Sequence, residues 1–208
     1  MNEAEAYDWV AGRVSRETLK RLDLYANTVK KWQKAINLVG SDTLSSIFNR
    51  HIMDSLQILE LSRAAPSRWV DLGSGGGFPG LVCAIVGPER FPACAFTLIE
   101  SDQRKATFLS EAARITEAEA TVLNARIENC PPQNADIVSA RALAPLDQLC
   151  ALASPHLASA GCALFLKGRN HKEEQAAADR NWKMNRELFL SKTNRDAVIY
   201  RIGELSRV

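Results

Sequence analysis

"RWVDLGSGGGFPGL", residues 68–81, decides how the rest of the chain is read. An apolar run, Trp69–Leu72, ends at Gly73, and five glycines fall among the eight positions 73–80. Glycine weakens the interior of a helix or strand, so this density marks a loop whose backbone needs room or dihedral angles that a side chain denies. Pro79 then opens a helix, where its missing N–H has no intrahelical partner to lose. Strand, glycine loop and helix form the start of a βα unit. In open α/β sheets, ligands bind at such loops, outside the carboxyl ends of the strands.

The apolar period changes at this stretch. Upstream, Leu22, Tyr25, Val29, Trp32 and Ile36 step by threes and fours, which predicts a helix over 15–36 with Ser15 as its N-cap. A second helix is expected over 43–61, striped by Leu44, Phe48, Ile52, Leu56 and Leu59. Between them, "NLVGSD" reads as a turn. Downstream, strand-length apolar runs at 69–72, 96–100, 120–123, 136–140, 162–167, 188–191 and 198–202 alternate with helical stretches at 79–86, 103–115, 145–157 and 172–182. That alternation predicts an α/β fold with a mainly parallel seven-stranded sheet covered on both faces. The last two runs are joined only by "KTNRD" and predict a C-terminal antiparallel hairpin. Residues 1–63 read as a helical extension and 64–208 as the ligand-binding domain.

Of 208 residues, 46% are hydrophobic, enough for one sizeable core and an extension. Residues 64–163 carry 7 basic and 10 acidic side chains, residues 164–208 carry 10 and 6. A basic C-terminal part suits a nucleic-acid substrate, and equally a solvated face. The five cysteines are scattered without a C-x-x-C pair and read as reduced core residues, with no metal site expected. The acidic start lacks an apolar signal core, and no apolar run approaches the ~20 residues that span a bilayer. A soluble, cytoplasmic protein without membrane contact is expected.

Two ligand classes compete for the loop. Gly75-x-Gly77-x-x-Gly80 matches a dinucleotide fingerprint formally, but Gly80 falls late, inside the helix. Counted from Gly73, the third glycine is replaced by Phe78. The series Asp71-x-Gly73-x-Gly75-x-Gly77 fits S-adenosylmethionine (SAM) better, because an acid suits a sulfonium and an ammonium and repels a pyrophosphate. Glu100, ending the second strand, is placed to accept ribose hydroxyls, while Asp102 is better placed to cap the next helix. Ile127 and Glu128 form an apolar–acid pair suited to adenine. As for the methyl acceptor, the fourth strand runs into "SARALAPL", without the Asn/Asp-Pro-Pro-Tyr motif of exocyclic-amine enzymes. Cys130 precedes that strand, the wrong place for a pyrimidine-C5 nucleophile. A ring nitrogen with a free lone pair needs only positioning.

"NLVGSD…RHIMDSLQIL", "VDLGSGGGFPG", "TLIESDQRKATFL", "VSARALAPL" and "LFLKGRN" resemble, in order and spacing, the RsmG (GidB) family of rRNA small subunit methyltransferases. The resemblance covers about residues 25–170, with a slightly longer stretch around Arg90–Ala95. It implies a class I SAM-dependent methyltransferase fold, Rossmann-like, with a helical N-terminal extension. The implied acceptor is N7 of guanosine 527, in the 530 loop of 16S rRNA, and the implied partner is the small ribosomal subunit or its assembly precursor, met by a monomer. Gly73, Phe78, Ile127, Glu128 and Arg141 match family positions that contact SAM. Glu100 matches the ribose-binding acid. His51 and Asp54 of "RHIMDS" and Lys167 after the fifth strand match positions near the cofactor or RNA cleft. Arg141, His51, Asp54 and Lys167 are therefore the catalytic candidates. Asp71, Gly73, Gly75, Gly77, Phe78, Glu100, Ile127, Glu128 and Arg141 are the cofactor-binding candidates.

Overall fold

A computed structural model describes residues 1–62 and 65–208. The expected domain junction at 63/64 lies outside the described residues.

The chain begins with a helix the apolar spacing does not announce, α1 (Glu3–Ala11), closed by a capping box between Asn2 and Glu5. Helix α2 (Arg16–Trp32) starts as expected at Ser15, whose hydroxyl accepts the Thr18 N–H. The expected second helix exists only as an irregular coil. Ser41–Ser46 is a 3-10 turn, Phe48–Met53 a π turn, α3 (Asp54–Leu56) a single α turn, and Gln57–Leu61 again 3-10. Part of the reason is visible at its start. The N–H groups of Phe48 and Asn49 donate to the Glu3 carboxylate, both at 2.9 Å, rather than to carbonyls one α turn back.

Then follow β1 (Arg68–Leu72), α4 (Gly80–Val86), β2 (Ala95–Glu100), α5 (Gln103–Ile115), β3 (Ala120–Asn124), β4 (Ala135–Arg141), α6 (Leu146–Ala153), β5 (Leu157–Lys167), α7 (His171–Ala178), β6 (Trp182–Leu190) and β7 (Val198–Arg207). The strand order is β3-β2-β1-β4-β5-β7-β6. β1 to β5 run parallel, and β7 pairs antiparallel with both β5 and β6. β5 and β6 start earlier than the apolar runs indicate. At "LASAG" the residues are small, and in the edge strand β6 the polar stretch Asn185–Glu187 follows Trp182–Met184, so hydrophobicity understates both.

Strand order reverses between β1 and β4, which opens a crevice beyond their carboxyl ends. Alternate residues of β1 enter different cores: Trp69 packs with Phe96, Phe108 and the N-terminal Leu22 and Val29, whereas Val70 and Leu72 pack with Val138, Phe165 and Tyr200. The N-terminal helices and one sheet face thus share a single core. Beneath the crevice, the Trp69 indole N–H donates to Ser139 Oγ at 2.9 Å, and the Ser139 hydroxyl donates to Asp71 Oδ1 at 2.6 Å. All three side chains are buried. Ser139→Ala strands a buried donor and a buried carboxylate oxygen together, and should lower the unfolding free energy by about 2–5 kcal/mol in urea denaturation.

Candidate active site

One cavity of about 920 Å³ lies at the crevice. Its floor is the glycine loop Gly73–Gly76, with Phe78, Glu100, Ile127, Glu128 and Arg141. The N-terminal extension supplies a wall, Asn37–Gly40 with Thr43, Arg50, His51 and Asp54, and the β6–β7 loop contributes Ser191, Thr193 and Asn194.

Gly73, Gly75 and Gly77 all have positive φ, at +63°, +55° and +88°. A β-carbon on Gly77 would stand 2.5 Å from the Tyr25 hydroxyl, so this glycine makes room for protein packing. It does not line the cavity, contrary to its expected cofactor contact. Gly75 lies against open space, and its nearest neighbour to such a carbon is 3.8 Å away. It is the glycine that leaves backbone bare toward a ligand. Asp71 is also corrected. It is 1% exposed, lies below the loop and is not part of the cavity wall. Its Oδ2 has no hydrogen-bond partner, and burial pushes its pKa from 3.8 up to about 6.

Glu100 pins the loop. Its Oε2 accepts the Gly75 N–H and its Oε1 the Asp102 N–H, each at 2.8 Å. Each oxygen keeps a further lone pair for a hydroxyl. Asp102, as expected, caps α5 through the N–H groups of Arg104 and Lys105. Ile127 is buried and Glu128 exposed on the 3-10 turn Ile127–Asn129, which sets an apolar surface and an acid side by side on the wall.

The guanidinium of Arg141 lies 5.1 Å over the Phe78 ring. It donates to the Arg50 carbonyl at 3.0 Å, to Asp54 Oδ2 at 3.4 Å and to His51 Nδ1 at 2.8 Å. Because arginine has only donors, His51 Nδ1 must accept, so the imidazole is neutral with its proton on Nε2. Burial, then the positive charges of Arg141 and Arg50, pulls its pKa from 6.5 to about 3.

The other two catalytic candidates are committed to protein partners. Asp54 Oδ1 accepts from Gln57 at 2.8 Å, Thr193 at 2.7 Å and Ser191 at 3.3 Å, which ties the β6–β7 loop to α3. Lys167 is 7% exposed, pairs with Glu174 at 2.5 Å and donates to the Ala144 carbonyl at 2.8 Å. It lines the cavity and braces the loop after β4. Sequence reasoning also missed the wall Asn37–Gly40. The Gln33 amide holds it through the N–H groups of Leu38 and Val39 and the Val39 carbonyl. "NLVGSD" signals a turn there, but no local pattern reveals what the turn covers.

Among the described residues no cluster of His, Cys, Asp or Glu is arranged for a metal, and no helix is long and apolar enough to cross a membrane. The residues suit SAM: spare lone pairs on Glu100 for a diol, the Ile127 surface for a flat base, bare backbone at Gly75, and unspent Arg141 donors for a carboxylate. The fold and this site define a class I SAM-dependent methyltransferase. A TehB-like SAM-dependent methyltransferase from Corynebacterium glutamicum superposes with TM-score 0.58 at 11% identity, over 87% of this chain and 98% of that one. A predicted O-methyltransferase from Agrobacterium tumefaciens gives the same score at 19% identity, over 72% and 79%. A family model described as GidB, rRNA small subunit methyltransferase G, matches residues 18–198. The Ribosomal RNA small subunit methyltransferase G of Cereibacter sphaeroides (strain ATCC 17025) is 52% identical over 94% of each chain. The chain belongs to the rRNA small subunit methyltransferase G family.

The Asp71 shift has a definite sign. Its folded pKa is about 6 against an ordinary 3.8, so the stability it contributes is present below 3.8 and lost as pH rises through 6. Asp71→Asn should therefore gain about 2 kcal/mol relative to the wild type between pH 4 and pH 7, read from denaturation curves at both values.

Proposed function

We propose that this protein transfers the methyl group of SAM to N7 of a guanosine in the 530 loop of 16S rRNA, the position 527 nucleotide. The observation that carries the reading is a cavity at the strand-order reversal, lined by Gly75, Glu100, Ile127, Glu128 and Arg141 beside a neutral His51 with both ring nitrogens engaged, in a chain of this family. When bound, SAM would supply an electrophilic methyl for the N7 lone pair, the C–S electron pair remaining on sulfur and the positive charge passing to the base.

No proton moves in that transfer. Glu100 holds ribose hydroxyls while it fixes the loop. Ile127 packs on the adenine, Glu128 takes its exocyclic amine, and Phe78 carries the Arg141 guanidinium. Arg141 orients the methionine carboxylate. His51 and Asp54 hold Arg141, and Lys167 holds the adjoining loop. Catalysis is then mainly positioning of N7 in line with the C–S bond.

Exposed Arg50 and Arg126 stand at the mouth, and exposed Arg169 and Arg195 flank the β6–β7 side. Such cations suit RNA phosphates. The small subunit or its assembly precursor, encountered by a monomer in the cytoplasm, is the proposed partner. The helical extension, residues 1–63, is proposed as a wall of the methyltransferase site rather than a separate domain.

Mapping N7-methylguanosine in 16S rRNA from cells with and without the gene tests the acceptor: methylation at 527 should vanish, and an unchanged 530 loop rejects the reading. Glu100→Ala should weaken SAM binding in calorimetry about 10- to 100-fold, through lost charge-assisted hydrogen bonds.

A further inference from the structure

The hydrogen bonds behind Arg141 form a chain with only one possible direction. Arg141 donates to His51 Nδ1 at 2.8 Å, and His51 Nε2 meets Thr43 Oγ1 at 2.8 Å. The Thr43 hydroxyl donates to the Gly40 carbonyl, also at 2.8 Å. A guanidinium can only donate and a carbonyl can only accept, so both ends fix the polarity. The Thr43 hydrogen is spent on Gly40, which leaves its oxygen able only to accept. His51 must therefore carry its proton on Nε2. In the other tautomer an Nδ1–H would confront the Arg141 N–H, and two acceptors would confront each other at Thr43.

The consequence reaches the cavity. Nη1 of Arg141 is engaged by Arg50 O and Asp54, and one Nη2–H by His51. That leaves Nε–H and the second Nη2–H of the planar guanidinium without a protein partner among the described residues, donors that suit a carboxylate. The ring contacts hold the same arrangement: His51 packs 4.9 Å from Phe78, over which Arg141 lies. Thr43 also bonds twice to Gly40 of the covering wall, through its backbone N–H at 3.0 Å and its hydroxyl. The wall and the guanidinium are thus joined through two side chains, Thr43 and His51.

We propose that Thr43 is a positioning residue for the methyl donor. It selects the Nε2–H tautomer of His51 and thereby fixes the Arg141 edge that meets the methionine carboxylate. This rests on the reading of Arg141 as the carboxylate contact. A neutral histidine left to itself samples both tautomers, and only one of them can hold the arginine.

The test has two arms on the full-length protein. Nitrogen-15 NMR of the ligand-free wild type at pH 7 should show His51 with an acceptor-type Nδ1 and a protonated Nε2. A protonated Nδ1, or an imidazolium, overturns the proposal without any variant. In calorimetry with SAM alone, Thr43→Val should weaken binding about tenfold, the loss of one part-buried hydrogen bond and its geometry. Thr43→Ser, which keeps the hydroxyl, should recover most of that affinity. In turnover assays the Val variant should show the loss in KM for SAM, with kcat at saturation little changed. Equal loss in Ser and Val variants, or none in Val, rejects the role. The NMR and the calorimetry use no RNA, so their outcomes stand apart from the 530-loop mapping. An Arg141→Lys variant with wild-type SAM affinity would sink the carboxylate reading while leaving the tautomer measurement intact.

Discussion

At Gly73, Gly75 and Gly77 the backbone turns through left-handed conformations, which residues bearing a β-carbon reach at a cost of about 1–2 kcal/mol each. Three such residues in five bend the chain sharply from β1 toward α4. The neighbours then hold the bend. Leu143 fills the space beside Gly73, Tyr25 the space beside Gly77, and the Tyr25 hydroxyl also donates to the Gly76 carbonyl. Glu100 accepts the Gly75 N–H from the adjacent strand end. The loop is therefore clamped by the N-terminal extension, by the segment after β4 and by β2 together. Each wall of the cavity is set relative to this one turn.

Around that turn, polar groups are largely spent on one another. Asp54 serves α3, β4 and the β6–β7 loop at once. Lys167 serves α7 and the loop after β4. His51 serves Arg141 and Thr43. Such saturation is costly to assemble from flexible chains but gives a pre-formed shape, and pre-formed shape is what a positioning reaction needs. It also ties His51 and Asp54, marked as catalytic candidates by their place in the chain, to Arg141.

The strands and long helices of the sheet were legible because their signals are local. Fully apolar runs gave β1, β2 and β4 within a residue or two, and Ser15 and Asp102 capped α2 and α5 as their side-chain chemistry requires. The coil over 41–61 was not legible in detail. Its apolar stripe is helical, yet the carboxylate that receives the Phe48 and Asn49 amides belongs to Glu3, some 45 residues away. For the same reason, acid beside glycine in "VDLGSG" suggested a cofactor contact, although Asp71 points below the sheet edge toward Ser139. Side chains alternate along a strand, and a linear pattern does not say which side the ligand takes.

The sequence by itself determined the βα alternation, the glycine turn, the acid at the end of β2 and the family, because backbone preference, capping and apolar period act over a few residues. Only the tertiary structure decided which glycine faces the cavity, that Lys167 is paired, that Asn37–Gly40 walls the site, and that the proton of His51 sits on Nε2. Those features depend on which donor meets which acceptor in the folded chain, as Arg141 meets His51 across 90 residues, and no local pattern carries that pairing.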